Sequence, residues 1–177
     1  PKYGREIADA LGERLGPLNP LPVDDPNAVL SGFANPKMGE WINSTLESDL
    51  AEKGAYDATA PFRNGSRLLE AEGGTYLRPT IVHCDSMEHV LANREFLCPY
   101  ASVVEVPQAE MLRSIGPTLV VTAITKDESF KRQLLGASNV ERLNIGPIST
   151  MKISWDQPHE GNMFEFLYKR RSIGMAA

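Results

Sequence analysis

The stretch REFLCPY, residues 94–100, places a carboxylate and a thiol directly before an apolar run. Cys98 is a candidate nucleophile, because a thiolate attacks a carbonyl carbon once a nearby base activates it. Glu95 is the alternative, because a carboxylate beside a strand of an α/β sheet can grip a ribose hydroxyl. A free cysteine at the head of a buried strand is more often a small core residue, so we favour packing for Cys98. A lone glutamate is ordinarily a solvated surface residue, so a binding role for Glu95 needs support from the rest of the chain.

The other reactive side chains form no motif. His83 and His89 are six residues apart and share neither a helix face nor a strand face, so we predict no metal site. The phosphate-binding patterns GxGxxG and GxxxxGK and the hydrolase pattern GxSxG are absent. Cys98, His159 and Asp156 together have the composition of a thiol-nucleophile site, which keeps a Cys98-dependent hydrolase as the least favoured hypothesis.

Composition limits the partners of the chain. Its 177 residues suffice for one domain, which we predict to extend over residues 1–177. A net charge of −5 and the lack of Lys/Arg clusters argue against nucleic acid as a partner. No apolar run approaches the roughly 18 residues of a membrane span, so no membrane partner is expected. Two cysteines without a CxxC pattern favour a reducing, cytoplasmic location.

Two helices are predicted in the first third of the chain. In residues 3–15 the apolar side chains recur every fourth residue, which is typical of one helix face. A second helix is expected over residues 36–54, after the N-cap Asn35 and with Gly54 as its stop. Asp25 before Pro26 is the same combination of an N-cap residue and a following proline, and it predicts a further helix start.

Short strands dominate the remainder. GGTYLRPT, from Gly73, looks like the return arm of a hairpin, with the glycines in its turn. ASVVEVP, PTLVVTAIT and VERLNIG alternate with two helical segments, QAEMLRSIG and DESFKRQLLGAS. The first two of these strands are nearly continuously apolar, as expected of strands covered on both faces. The pattern predicts an α/β fold, a mostly parallel sheet flanked by helices, with an N-terminal helical segment.

The order of these segments resembles the C-terminal part of the catalytic domain of the aldehyde dehydrogenase superfamily. GGTYLRPTIV (73–82), EFLCP (95–99), LNIGP (143–147) and QPHEG (157–161) follow one another as the family's motifs do. The family's E-[IV]-F-G-P motif matches EFLCP, and its Q-x-P-F-G-G loop matches QPHEG. The substitutions at these motifs indicate a divergent branch.

The resemblance implies a role for particular residues. Glu95 matches the glutamate that binds the nicotinamide-ribose hydroxyls, Leu97 stands where the family has a phenylalanine near the nicotinamide ring, and Cys98 replaces a glycine. The substrate-tunnel wall would include four residues: Asn144 and Pro158, which match the family's motifs, His159, which replaces a phenylalanine of the family's loop, and Trp155 of the same loop. The family's nucleophilic cysteine, its general-base glutamate and its dinucleotide-binding domain lie upstream of the matched segment, so no catalytic residue is assigned here.

The resemblance also implies an activity. The full-length protein would oxidise a small aldehyde to an acid through a thioester, with NAD or NADP as cofactor, and would form a homo-oligomer. Because the chain begins abruptly at Pro1, we expect an excised fragment that is inert without its N-terminal cofactor domain. The alternative hypothesis is a stand-alone, non-catalytic interaction domain derived from this fold.

Overall fold

In the computed structural model, residues 3–153 and residue 167 are described. These residues divide after Gln108 into two compact units, termed here the first and the second unit. The single domain expected over residues 1–177 stays a prediction. Trp155, Pro158 and His159, which the resemblance places in the tunnel wall, lie outside the described residues.

The predicted first helix is present as α1 (Gly4–Leu15). Leu11 and Leu15 of the predicted apolar stripe are half-buried and pack against the cluster that Ala8 forms with Ala58 and Ile81, but the most deeply buried residues of the helix are others. Gly4, Ala8 and Gly12 are its buried residues, whereas Ile7 of the predicted apolar stripe is 51% exposed. A Cβ at Gly12 would lie 2.1 Å from the carbonyl oxygen of Ala58. Small residues four apart therefore let the helix backbone approach its neighbour more closely than the larger apolar side chains would allow.

The second helix, α2 (Pro36–Leu50), begins where the sequence predicts. Asn35 is its N-cap, and the side-chain oxygen of Asn35 accepts a hydrogen bond from the amide of Lys37 at 3.2 Å. The helix ends four residues before Gly54, which instead lies in the following turn with φ of +100°. The helix start predicted at Asp25 is wrong. The Asp25 carboxylate accepts a hydrogen bond from the amide of Asn27 in a turn, and no helix begins there.

Two small sheets complete the first unit. β2 (Leu68–Ala71) and β3 (Gly74–Leu77) form the predicted antiparallel hairpin, with positive φ at Gly73 and Gly74. The other sheet has the order β1 (Ala55–Asp57), β4 (Thr80–Cys84), β5 (Tyr100–Val104). β1 is antiparallel to β4, whereas β4 and β5 are parallel.

The strand buried on both faces is β4 and not the two strands that the sequence pattern indicated. All five residues of β4 are buried, whereas β5 is only partly buried and Leu119 of β6 (Thr118–Ala123) is 50% exposed. The main core of the first unit gathers side chains from α2, β3, β4 and the short 3-10 turn Val90–Ala92: Ile42, Leu46, Leu77, Val82, Cys84 and Leu91.

A buried ion network joins β1 to the loop before β2. The carboxylate of Asp57 lies 3.0 Å from the guanidinium groups of both Arg63 and Arg67, and it also accepts from Thr59. All three charged side chains are less than a tenth exposed. Burial acts to raise the pKa of Asp57, but the hydrogen bond from Thr59, the charge of Arg63 and the hydrogen bonds from Arg67 and Arg63 outweigh burial, so that the pKa lies below its ordinary value.

The second unit is a βαβ arrangement, as the sequence predicts. α3 (Gln108–Ile115) leads to β6, and α4 (Glu128–Leu135) connects β6 to the parallel strand β7 (Val140–Ile145). Asp127 caps α4 by accepting from the amides of Ser129 and Phe130. The α/β fold with helices beside partly parallel sheets is therefore present. In the part of the chain that is described, no helix is long and apolar enough to cross a membrane.

Candidate functional site

The motif residues 94–99 connect the 3-10 turn Val90–Ala92 to the start of β5. Glu95 lies five residues before Tyr100, the first residue of β5, and so precedes the amino end of that strand. The end of this segment is fixed by the sheet, because the amide of Thr80 in β4 donates to the carbonyl of Pro99 at 2.8 Å. The segment therefore joins the sheet at Pro99 and is irregular before it.

Phe96 and Cys98 are the half-buried residues of this segment, whereas Arg94, Glu95 and Leu97 are exposed. Arg94 pairs with Asp49 of α2, and Phe96 and Cys98 pack against the main core. Between them, Glu95 is exposed and Leu97 is 87% exposed. Glu95 and Leu97 are thus both accessible to a ligand. Both residues that the resemblance assigns to the cofactor are therefore exposed, and their role stays a prediction.

The exposed pair has the properties of a cofactor-ribose contact. In the described part of the chain, the carboxylate of Glu95 makes no hydrogen bond or ion pair, so both of its oxygens can accept from ligand hydroxyls. Leu97 beside it offers apolar surface of the kind that packs against a planar ring. The residues present therefore fit the nicotinamide-ribose half of a dinucleotide.

Cys98 is built into the core instead of the site. Burial raises the pKa of its thiol to about 11, against a smaller opposing effect of the charge on Arg67. Burial likewise raises the pKa of Cys84, which is fully buried in β4, to about 11. Both thiols are consequently protonated near neutral pH, which favours the packing role that the sequence indicated for Cys98.

Asn144 lies at the penultimate position of β7, in the second unit. Its side chain is 8% exposed and donates from Nδ2 to the Thr122 hydroxyl of β6 at 3.2 Å. The same hydroxyl donates to the carbonyl of Ile148 at 3.3 Å, in the segment after β7. Asn144 thus ties two strands and the following segment together; a role in a tunnel wall remains a prediction.

Sequence reasoning did not find the polar cavity at the other end of the first unit's parallel strands. It has a volume of about 430 Å³ and is lined by Arg5, His83, Cys84, Asp85 and Glu105. It lies at the carboxyl ends of β4 and β5, the edge at which α/β sheets usually bind ligands. Among residues 3–153 and 167, no three His, Cys, Asp or Glu side chains are close enough together to hold a metal ion.

Sequence reasoning also missed Asp49 and Arg94, which contact each other beside Glu95 at a Nε to Oδ2 distance of 3.2 Å. Arg94 could have been noticed, because it directly precedes the motif glutamate. Asp49 carries no comparable signal, since it is one of several acids in α2 and lies 45 residues away in the sequence.

Comparison of the sequence with protein-family models finds no match, and no curated protein matches it either. Comparison of the fold does find similar proteins: the arrangement of helices and strands resembles that of part of an aldehyde dehydrogenase, as the order of motifs predicted.

Three solved structures illustrate this similarity. An aldehyde dehydrogenase variant from Bacillus cereus has a TM-score of 0.68 at 16% identity, over 90% of this chain and 31% of that one. Lactaldehyde dehydrogenase from Escherichia coli has a TM-score of 0.67 at 15% identity, over 89% and 32%. An indole-3-acetaldehyde dehydrogenase in complex with NAD+ has a TM-score of 0.69 at 18% identity, over 91% and 32%. The chain spans about a third of the length of these proteins, and at such identities the likeness establishes the fold.

Proposed function

We propose that this chain is part of the catalytic domain of an NAD(P)-dependent, aldehyde dehydrogenase-like oxidoreductase, and that Glu95 binds the nicotinamide-ribose hydroxyls. The observation that carries the proposal is the outward-facing pair Glu95 and Leu97, on a chain whose fold matches aldehyde dehydrogenases over about 90% of its length. The neighbours that were solved with NAD+ support the choice of cofactor class.

Within this proposal, each residue has a limited task. The carboxylate of Glu95 accepts hydrogen bonds from the ribose hydroxyls and thereby fixes where the nicotinamide ring lies. Leu97 packs against the cofactor through its exposed apolar side chain. NAD(P)+ supplies the hydride acceptor of the reaction. Asn144, Trp155, Pro158 and His159 contribute to the wall of the aldehyde site.

The remaining chemistry comes from outside this chain. Oxidation of an aldehyde through a thioester requires a reactive thiolate, and neither described cysteine provides one, since both thiols have a pKa of about 11. We therefore propose that the nucleophile, the general base and the dinucleotide-binding domain belong to other parts of the protein. The isolated chain would be inert, and the complete protein would form a homo-oligomer in the cytoplasm.

The test is the Glu95→Gln variant of the full-length protein, assayed for aldehyde oxidation with NAD+ and with NADP+. Glutamine keeps the size of the side chain but removes its charge, and hydrogen bonds to a charged group are worth about 1.5–3 kcal/mol, so kcat should fall by roughly tenfold or more. Glu88→Gln, which removes a charge from another exposed glutamate, is the matched control and should leave kcat unchanged. An unaltered kcat for Glu95→Gln contradicts the assignment of Glu95.

A second candidate function is a stand-alone interaction domain that has lost catalysis. It is favoured by Leu97, which is 87% exposed and replaces the aromatic residue of the family motif. Exposed apolar surface marks a protein–protein interface when it is contiguous, so this candidate requires Leu97 to be part of a larger apolar patch in the full-length protein. The same assay separates the two candidates, because the interaction domain predicts that the unaltered full-length protein oxidises no aldehyde with either cofactor.

A further inference from the structure

Residues 94–97 are held by side chains and not by the backbone. They belong to no helix or strand, and in the described part of the chain none of their backbone groups has a backbone hydrogen-bond partner. A segment without such bonds samples many conformations unless its side chains are anchored. The outward direction of Glu95 must therefore be set by the anchors on either side of it.

The first anchor is the ion pair between Arg94 and Asp49. Its Nε to Oδ2 distance is 3.2 Å, and the side chains are 41% and 13% exposed, respectively. Asp49 lies on the buried face of α2, close to the end of the helix. Because its carboxylate is largely removed from solvent, losing Arg94 would leave a poorly solvated charge without a partner. The pair thus resists opening more strongly than a fully exposed ion pair would.

The second anchor is Phe96. Its ring makes edge contacts with Trp41 of α2 and Tyr100 of β5, at centroid distances of 6.4 Å and 5.1 Å. Tyr100 is itself held, because its hydroxyl donates to the carbonyl of Leu91 at 2.5 Å. Arg94 and Phe96 flank Glu95, and the side chain of each contacts α2. With the side chains of both neighbours held in this way, the Glu95 side chain remains exposed to solvent.

We propose that Asp49 and Arg94 are positioning residues for Glu95: their ion pair, together with the Phe96 anchor, holds the Glu95 carboxylate in the direction in which it meets the nicotinamide ribose. The proposal rests on the function proposed above, and it adds two residues that touch neither cofactor nor substrate. Asp49 acts from α2, so that the helix controls the orientation of a residue in a different part of the unit.

The test is a double-mutant cycle in the full-length protein. Asp49→Asn and Arg94→Gln should each lower the rate of hydride transfer by about tenfold, since a coupling of about 1.4 kcal/mol lies within the range for residues in one network. The KM for aldehyde should stay unchanged. Asp49→Glu, which keeps the charge, should restore part of the rate. Glu40→Gln removes an exposed charge from the same helix and is the matched control.

The coupling itself distinguishes positioning from a merely structural role. If Asp49 acts through Glu95, then Asp49→Asn costs little further activity once Glu95→Gln is present. Two results would overturn the positioning role and leave the proposed function standing. One is fully additive losses of activity in the double variant, and the other is an Asp49→Asn rate within twofold of the unaltered protein while Glu95→Gln is slow. A Glu95→Gln variant with full activity overturns both. Melting temperatures of all variants identify any that are not folded, in which case Arg94→Lys replaces Arg94→Gln.

Discussion

The protonation state of Cys98 can be tested directly by alkylation. A thiol with a pKa of about 11 is compared with an ordinary cysteine at 9.0, a difference of about two pH units. Near pH 7 the thiolate fraction is then about 1 in 10,000 instead of about 1 in 100, because each pH unit below the pKa lowers the fraction tenfold. Only the thiolate reacts with iodoacetamide, so Cys98 starts with a hundredfold disadvantage.

Part of this disadvantage is recovered, because a thiolate of higher pKa is a better nucleophile. With a Brønsted coefficient of about 0.4–0.5, two pH units return roughly a factor of ten in rate. The net expectation is that Cys98 alkylates about ten times more slowly than a free thiol below pH 8, and more slowly still where its partial burial hinders access. Its rate should keep rising with pH toward 11, whereas the rate of a free thiol levels off near 9.

The assay is site-resolved mass spectrometry of the chain during reaction with iodoacetamide, at several pH values between 6 and 10. Cys84 has the same raised pKa and is fully buried, so it should react no faster than Cys98. In urea both cysteines should react at the rate of glutathione, which provides the unfolded control. Alkylation of Cys98 at the glutathione rate near pH 7 in the folded chain would refute the packing role and revive the hydrolase hypothesis.

Two further predictions concern stability. Gly12→Ala should destabilise the protein by about 2 kcal/mol in urea unfolding. The new methyl group meets the Ala58 carbonyl at a cost of about 3 kcal/mol, the upper end of the range for overpacking, and the gain in helix propensity returns about 1 kcal/mol. Glu13→Ala on the exposed face is the control, and a Gly12→Ala variant as stable as the unaltered protein would refute the close packing. The pKa of Asp57 is lowered in the folded state, so its stabilisation is present above its unfolded pKa and lost as pH falls through the folded value, below the ordinary 3.8. Asp57→Asn should cost about 3–5 kcal/mol near neutral pH, since it leaves Arg63 and Arg67 unpaired; stability that depends on acid pH as in the unaltered protein would contradict this.

The two cap signals show how far local sequence reasoning reaches. Asn35 and Asp25 are each followed by proline, but only Asn35 starts a helix. After Pro26 the chain reaches Ser31-Gly32 within five residues, too few for a helix that packing does not support. After Pro36, the apolar residues Ile42 and Leu46 recur at helical spacing and are buried in the core. A cap therefore predicts a helix only when an apolar face of sufficient length follows it.

The candidate site was predictable only as far as it depends on residues that are close together in the sequence. Glu95 and Leu97 follow from a short motif, and their outward direction agrees with the role that the motif implies. The anchors were not predictable, because Asp49 is 45 residues from Arg94 in the sequence. The cavity near His83 was missed as well, since its lining comes from α1, β4 and the end of β5.

Apart from the helix start wrongly predicted at Asp25, the sequence by itself determined the order and type of the main elements in the described chain, because caps, turn glycines and apolar periodicity act over a few residues. The hairpin at Gly73, the start of α2 and the βαβ unit are examples. Only the tertiary structure decided which face of α1 is buried, which strand lies deepest and which charges meet. These features depend on how closely two distant segments of backbone approach each other, as at Gly12 and Ala58. The apolar periodicity of a helix or strand is a local property, so it does not reveal such an approach.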